Sequence, residues 1–177
     1  PAMLNLHPSL TILQAIATQR TSSILGTSVA AWNYLRNIRI ERYIILPACI
    51  AALSASAFGV QFAKKMDPDI LKWTVLSICV VLALYTALRK DLGLKEERRF
   101  HPKHETIAAV SIGAATGFYN GLIGPGTGTI MVFAFVSFMG LDFLKSSAVS
   151  KAANVSADLS SWTVLLLIGF VFCLLAI

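Results

Sequence analysis

The sequence predicts an all-α protein that crosses a membrane several times. Of its 177 residues, 56 % are apolar and 14 % are charged, which is too little polar surface to cover a soluble globule. The charged residues are gathered in short runs between long apolar stretches, as in the loops of a multi-pass membrane protein. The net charge of +6 is therefore interpreted as a signal that orients the chain in the bilayer, and nucleic-acid binding is not predicted.

Residues 1–88 are predicted to form the first part of the protein, with three transmembrane helices. The first helix is predicted from Thr11 to Leu35. The second, from Tyr43 to Phe62, has twenty residues, enough to cross about 30 Å of hydrocarbon at about 1.5 Å per residue. The third is predicted from Asp67, a favourable N-cap followed by proline, to Leu88.

Residues 89–105 are predicted to form a basic surface loop, with Pro102 interpreted as a helix breaker. The loop holds six Lys or Arg and four Asp or Glu. Together with the arginines at 36, 39 and 42 it places nine cations on one side of a helix pair, against three around residues 64–72. The positive-inside rule therefore predicts that the loop is cytoplasmic and that the protein is a multi-pass protein of the cell (inner) membrane.

Residues 106–177 are predicted to form the second part, which begins with a broken helix. The stretch from Thr106 to Ile123 carries Gly113, Gly117 and Gly121 at four-residue spacing, which predicts one helix face packed closely against a neighbour. It is followed by the glycine loop, residues 124–129, whose sequence is Gly-Pro-Gly-Thr-Gly-Thr and cannot stay helical. Such a break is tolerated at membrane depth where it is buried in protein or lines a wet cavity.

A last long helix is predicted from Asp142 towards Ile168, and it resembles the first one. When Leu10 is set against Leu141, Arg20 aligns with Lys151, Ser23 with Asn154 and Thr27 with Asp158. In each helix these positions fall at i, i+3 and i+7, which is one helical face, and a polar face in an apolar helix is expected to point into the protein. The charge pattern favours opposite orientations of the two copies, as in the inverted repeats of many secondary transporters.

The ends of the sequence suggest a piece of a longer protein. Pro1 is not an initiator methionine, and residues 160–177 are uncharged and stop without a polar flank. We expect that this piece does not transport a solute by itself.

The run from Gly117 to Thr129, followed by Ala148 to Asn154, resembles the second-half motif of the TauE/SafE family of sulfite-exporter-like permeases. The start, from Pro1 to Arg20, resembles the first-half motif of the same family. Asn120 stands where some relatives carry an acid, and Arg20 where lysine is common. The resemblance implies a permease of about eight spans, whose substrate is a small anion such as sulfite or a sulfonate and whose mechanism is secondary transport.

The glycine loop and the two aligned cations suit anion binding. Backbone N–H groups and the positive end of the following helix can hold an anion, and two cations in a low-dielectric cavity would strengthen the attraction. Asp158 is interpreted as a possible site for a coupling proton. The residues predicted to bind the substrate are Arg20, Asn120, Gly124, Gly126, Thr127, Gly128, Thr129, Lys151 and Asn154.

Simpler interpretations stay open for these residues. Arg20 and Lys151 could extend to the membrane interface, and Lys151 could pair with Asp158. His101 and His104 have a metal-like spacing but no further ligands, so no metal site and no cofactor are predicted. The chain is not predicted to be an enzyme. The alternative functions are an intramembrane enzyme and a membrane assembly or structural subunit. The oligomeric state is not predicted.

Overall fold

The computed structural model describes residues 12–63, 101–124 and 126–167, with a few single positions between 65 and 84. For residues 12–21, 102, 103 and 165–167 it describes the backbone alone. Every regular element in these ranges is helical, which confirms the predicted all-α class. The helices are α1 (Ile12–Asn37), α2 (Arg42–Ala63), α3 (Pro102–Leu122), α4 (Thr127–Ala134), which continues as a π-helical turn (Phe135–Met139), and α5 (Phe143–Leu167). The helix predicted from Asp67 to Leu88 lies largely outside the described residues.

Helix α2 is the one described helix that is both long enough and apolar enough to cross a membrane. It has 22 residues, a stretch of 18 of them has a mean hydropathy of 1.9, and the helix agrees with the predicted span to within one residue at each end. Leu46, Ile50 and Phe58 on its outer face are each more than half exposed. This face is suited to contact with lipid, while the other described long helices are interrupted by polar residues.

Helices α2 and α3 pack backbone to backbone along the predicted glycine face. A Cβ atom added at Gly113 would lie 2.5 Å from the carbonyl oxygen of Ala48, and one at Gly117 would lie 2.5 Å from that of Ala52. Gly121 meets the backbone of Ser56 in the same way. The prediction of close helix packing at these glycines is confirmed, because no side chain fits between the two helices.

Pro47 lies inside α2 and leaves one backbone acceptor without its usual partner. Proline has no N–H, so the carbonyl of Tyr43, four residues earlier, lacks its helical hydrogen bond. The hydroxyl of Thr106 on α3 donates to that carbonyl at 3.2 Å. The proline is thus accommodated by the neighbouring helix, as is common in membrane helices.

Helix α3 begins earlier than predicted, and this corrects the end of the basic loop. Pro102 is the first helical residue, a position where the missing N–H of proline costs nothing. Glu105, predicted to end a solvated loop, lies in the first turn of α3 and is 1 % exposed. The hydroxyl of Tyr43 donates to its Oε2 atom at 3.0 Å. The prediction of Pro102 as a helix breaker was wrong because proline at this position starts a helix.

Helix α5 begins where the sequence predicts, after a turn with a left-handed glycine. Gly140 has φ of 72°, which ends the π-helical turn. The next turn is closed by Asp142, whose Oδ1 atom accepts the N–H of Lys145 at 2.7 Å. An aspartate at this position caps the free N–H groups of the helix, and its negative charge interacts favourably with the positive end of the helix dipole.

The apolar core lies between α2, α3, α5 and the segment from Thr127 to Met139. Helix α1 packs against α5. Phe135, Met131 and Met139 are fully buried and fill the space beside α5. The polar residues of α1, α3 and α5 meet where these helices approach the start of α4.

Candidate functional site

A buried carboxylate, Asp158 on α5, lies at the centre of the candidate site. It is 3 % exposed. Its Oδ1 atom accepts the side-chain amide of Asn120 on α3 at 2.8 Å. Its Oδ2 atom accepts the hydroxyl of Ser23 on α1 at 3.0 Å and the amide of Asn154 at 3.2 Å. Each of these three donors is neutral, so they stabilise the carboxylate by hydrogen bonding without cancelling its charge.

The hydrogen bonds extend from Asp158 to the glycine loop. The hydroxyl of Thr127, the first residue of α4, lies 3.2 Å from Oδ1 of Asn120 and 2.7 Å from the carbonyl oxygen of Gly124. Since a hydroxyl carries one proton, it donates to one of these acceptors at a time. Asn120 therefore connects the start of α4 to the carboxylate. We call Ser23, Asn120, Thr127, Asn154 and Asp158 the polar cluster.

Helix α5 carries further buried polar atoms on the same face as Asp158. Ser146, Ser150, Asn154 and Asp158 follow one another at four-residue spacing. The hydroxyl oxygens of Ser146 and Ser150 and the Oδ1 atom of Asn154 are buried and have no hydrogen-bond partner among the described residues. Leaving such a group unsatisfied costs about 1–3 kcal/mol. These atoms are therefore suited to bind a polar solute.

The glycine loop adopts a backbone that glycine alone adopts easily. Gly124 and Gly126 have φ values of 90° and 82°. A Cβ atom added at Gly126 or Gly128 would meet no atom within 4 Å, so this side of the loop faces open space.

The N–H groups at the start of α4 are largely engaged by the loop itself. The N–H of Thr127 donates to the carbonyl of Gly124 at 3.3 Å, and those of Thr129 and Ile130 donate to Gly126 at 3.1 Å. An anion bound here would compete with these three hydrogen bonds.

The structure brings together four of the predicted site residues, namely Asn120, Thr127, Asn154 and Asp158. Lys151 is half-buried on α5, one turn before Asn154, and takes no part in the hydrogen bonds of the polar cluster. Thr129 is exposed. The side chain of Arg20 lies outside the described residues, although its backbone is one turn before Ser23 on α1.

The sequence did not indicate a second polar contact, between α2 and α5. The hydroxyl of Ser56 is fully buried, donates to the carbonyl of Ala157 at 2.9 Å and also contacts the hydroxyl of Ser161. A serine in the middle of a long apolar span was the available signal, because a hydroxyl there needs a partner inside the protein. His101 and His104 are exposed, and no group of three metal-ligating side chains occurs within the described part of the chain.

Buried polar side chains on α3 and α5 beside exposed apolar residues on α2 are typical of a membrane protein with a solute site. The family model described as sulfite exporter TauE/SafE matches residues 1–177. The chain therefore belongs to the TauE/SafE family of membrane transporters.

Curated relatives carry consistent names. A probable membrane transporter protein of Sinorhizobium sp, ORF9, is 28 % identical over 160 residues, which is 90 % of this chain and 60 % of the relative. One of Haemophilus influenzae is 28 % identical over 155 residues, 88 % of this chain and 60 % of the relative. Escherichia coli YfcA, also named a probable membrane transporter protein, is 24 % identical over 159 residues, which is 88 % of this chain and 57 % of the relative. The chain thus spans less than two thirds of these relatives, and no solved structure matches it significantly.

Proposed function

We propose that the full-length protein containing this chain carries a small, sulfur-containing anion across the cell (inner) membrane by a secondary mechanism. The observation that carries the proposal is the polar cluster, which is buried in an apolar bundle except for the half-buried Ser23 and is bonded to the glycine loop through Thr127. A broken helix beside buried polar groups is the usual form of a solute site in secondary transporters. The family description, sulfite exporter, supports the substrate class.

The residues around the cluster offer both charge and hydrogen bonds to an oxyanion. Lys151 lies one turn before Asn154 on α5, and the backbone of Arg20 lies one turn before Ser23 on α1. The hydroxyls of Ser146 and Ser150 can each donate one hydrogen bond. The open space at Gly128 allows a solute to approach the backbone.

Asp158 determines when an anion can bind in this proposal. Two like unit charges about 4 Å apart repel by about 4 kcal/mol at an effective dielectric constant of about 20. Ser23, Asn120 and Asn154 are among the groups that contact Asp158, and Lys151 lies two turns before it on α5. Protonation of Asp158 removes the repulsion, so proton binding and anion binding strengthen each other, and the proton and the anion move together.

Flux into proteoliposomes of the full-length protein tests the proposal. Labelled sulfite, thiosulfate, sulfate and a sulfonate would be offered one at a time, with and without an imposed pH gradient. We expect saturable flux of at least one of them, and accumulation when the gradient drives protons in the same direction. A folded protein that moves none of these anions would contradict the substrate class.

Replacing Lys151 by glutamine is expected to lower kcat/KM for the transported anion about tenfold to a hundredfold. A hydrogen bond to a charged group is worth about 1.5–3 kcal/mol, and the substitution removes such a donor. Flux measurements on equal amounts of inserted protein check this, and Lys151→Arg, which keeps the charge, should retain most of the flux. Normal transport by Lys151→Gln would exclude Lys151 from the site.

Replacing Gly128 by alanine is expected to slow transport without damaging the fold. The added methyl group meets no protein atom within 4 Å, so it occupies the space offered to the solute. Gly26→Ala is the matched control, because Gly26 also lies in a helix with no atom within 4 Å. Saturation curves should show slower transport for Gly128→Ala and unchanged transport for Gly26→Ala. Equal curves would mean that the solute does not approach this part of the loop. Gly126 is less suitable, because its φ of 82° strains any side chain.

A further inference from the structure

A basic cavity lies at the turn between α1 and α2, away from the polar cluster. It has a volume of about 700 Å³, and its lining includes Arg36, Arg39 and Arg42 together with Leu35, Ile45 and Leu46. All three arginines are exposed, so their charged groups are available to a ligand. The one acid of the turn, Glu41, is not part of the lining.

The charges in this cavity are arranged for an anion. Helix α2 begins with Arg42 and has no acidic residue in its first turn, although the N-terminus of a helix is its positive end. Arg42 adds to the positive potential of this helix end, and Glu41, whose carbonyl oxygen accepts the N–H groups of Ile44 and Ile45, is the one acid directly before it. Arg36 and Arg39 supply two more guanidinium groups, which bind phosphate oxygens in pairs of hydrogen bonds.

The apolar part of the cavity is continuous with the lipid-facing side of α2. Leu46 is 56 % exposed and Ile50, one turn further along the membrane span, is 67 % exposed. Trp32 on α1 and Tyr43 on α2 are also exposed close to the arginines, and such aromatic residues are enriched at the membrane surface. A ligand here would have its charged end among the arginines and its apolar end along α2.

We infer that this cavity binds the headgroup of an anionic phospholipid, with the phosphate held by Arg36, Arg39 and Arg42 and an acyl chain lying along Leu46 and Ile50. A free phosphate would use the arginines but not the apolar surface. Zwitterionic lipid would use the apolar surface but would leave an excess of positive charge. The inference is independent of which solute the protein carries.

Native mass spectrometry of the full-length protein in detergent tests the inference, with phosphatidylglycerol and phosphatidylcholine as probes at equal concentration. We expect phosphatidylglycerol to bind more tightly. Each arginine near the surface contributes about fivefold to the attraction for anionic lipid, so Arg36→Gln, Arg39→Gln and Arg42→Gln combined should weaken binding about a hundredfold. The corresponding triple lysine variant should bind more tightly than the glutamine triple and less tightly than the parent, because it keeps the charge but loses the paired hydrogen bonds.

A second triple variant is the matched control. Arg98→Gln, Arg99→Gln and Lys103→Gln remove the same charge from the basic stretch that leads into the first turn of α3 and should change lipid binding less than about twofold. Equal losses in the two glutamine triples would overturn the inference, because the attraction would then come from general surface charge. Equal binding of the two lipids, or displacement of phosphatidylglycerol by millimolar inorganic phosphate, would also overturn it.

Discussion

Replacing Asp158 by asparagine is expected to abolish accumulation of the anion under a pH gradient, a loss of about tenfold or more, while exchange of labelled for unlabelled anion continues. Asparagine keeps the shape of the side chain but cannot take up a proton, so the anion meets a permanently uncharged neighbour. Accumulation and exchange measured on the same proteoliposomes of the full-length protein separate the two effects.

The matched control is Ser23→Ala. It removes one of the three described donors to Asp158 but leaves the carboxyl group able to titrate. This variant should keep accumulation of the anion under the pH gradient, because the carboxyl group that takes up the proton is still present. If Asp158→Asn still accumulates the anion under the gradient, the proton is carried elsewhere and the role proposed for Asp158 is wrong.

Replacing Gly117 by valine is expected to prevent α2 and α3 from packing. A Cβ atom at this position lies 2.5 Å from the carbonyl oxygen and 2.6 Å from the Cα atom of Ala52, and backbone atoms cannot move aside as a flexible side chain can. Overpacking commonly costs about 1–3 kcal/mol, and a clash between two helix backbones should reach or exceed the upper value. Recovery of monodisperse full-length protein and its midpoint of thermal unfolding measure the effect.

Gly26→Val serves as the comparison for this variant. Gly26 also lies within a helix, but a Cβ atom there meets nothing within 4 Å, so the substitution changes helix propensity without a clash. Its unfolding midpoint should stay close to that of the parent protein. Similar destabilisation by the two valines would show that the loss of glycine, and not the contact with Ala52, is what matters.

The features that sequence could predict here are those with a local cause. The apolar length of α2, the four-residue spacing of Gly113, Gly117 and Gly121, and the start of α5 near Asp142 each depend on neighbours within a few positions. Pro102 shows the limit of such reasoning. Proline disrupts a helix interior but favours a first turn, and the local sequence did not decide between these two positions.

The arrangement of the polar cluster could be predicted in part only. The alignment of the two similar helices indicated that Ser23 lies on the polar face of α1, and Asn154 and Asp158 on the polar face of α5. It did not predict that Ser23 would donate a hydrogen bond to Asp158, which lies 135 positions away in sequence. Hydrophobic pattern indicates that a side chain faces inward, and tertiary packing decides which side chain it meets. The buried position of Glu105 was missed for the same reason, since its partner Tyr43 lies 62 positions away.

The segment from Thr127 to Met139 has a glycine with positive φ at each end, Gly126 before it and Gly140 after it. Between these two glycines the backbone is continuously helical, and Met131, Phe135 and Met139 are buried against the bundle. Glycine changes its backbone angles at low cost, so the segment could rotate as one rigid helix about Gly126 and Gly140 while α2 and α3 keep their close packing. Thr127 follows Gly126 directly and its hydroxyl lies 3.2 Å from Oδ1 of Asn120, so such a rotation would change the contact between the glycine loop and the polar cluster.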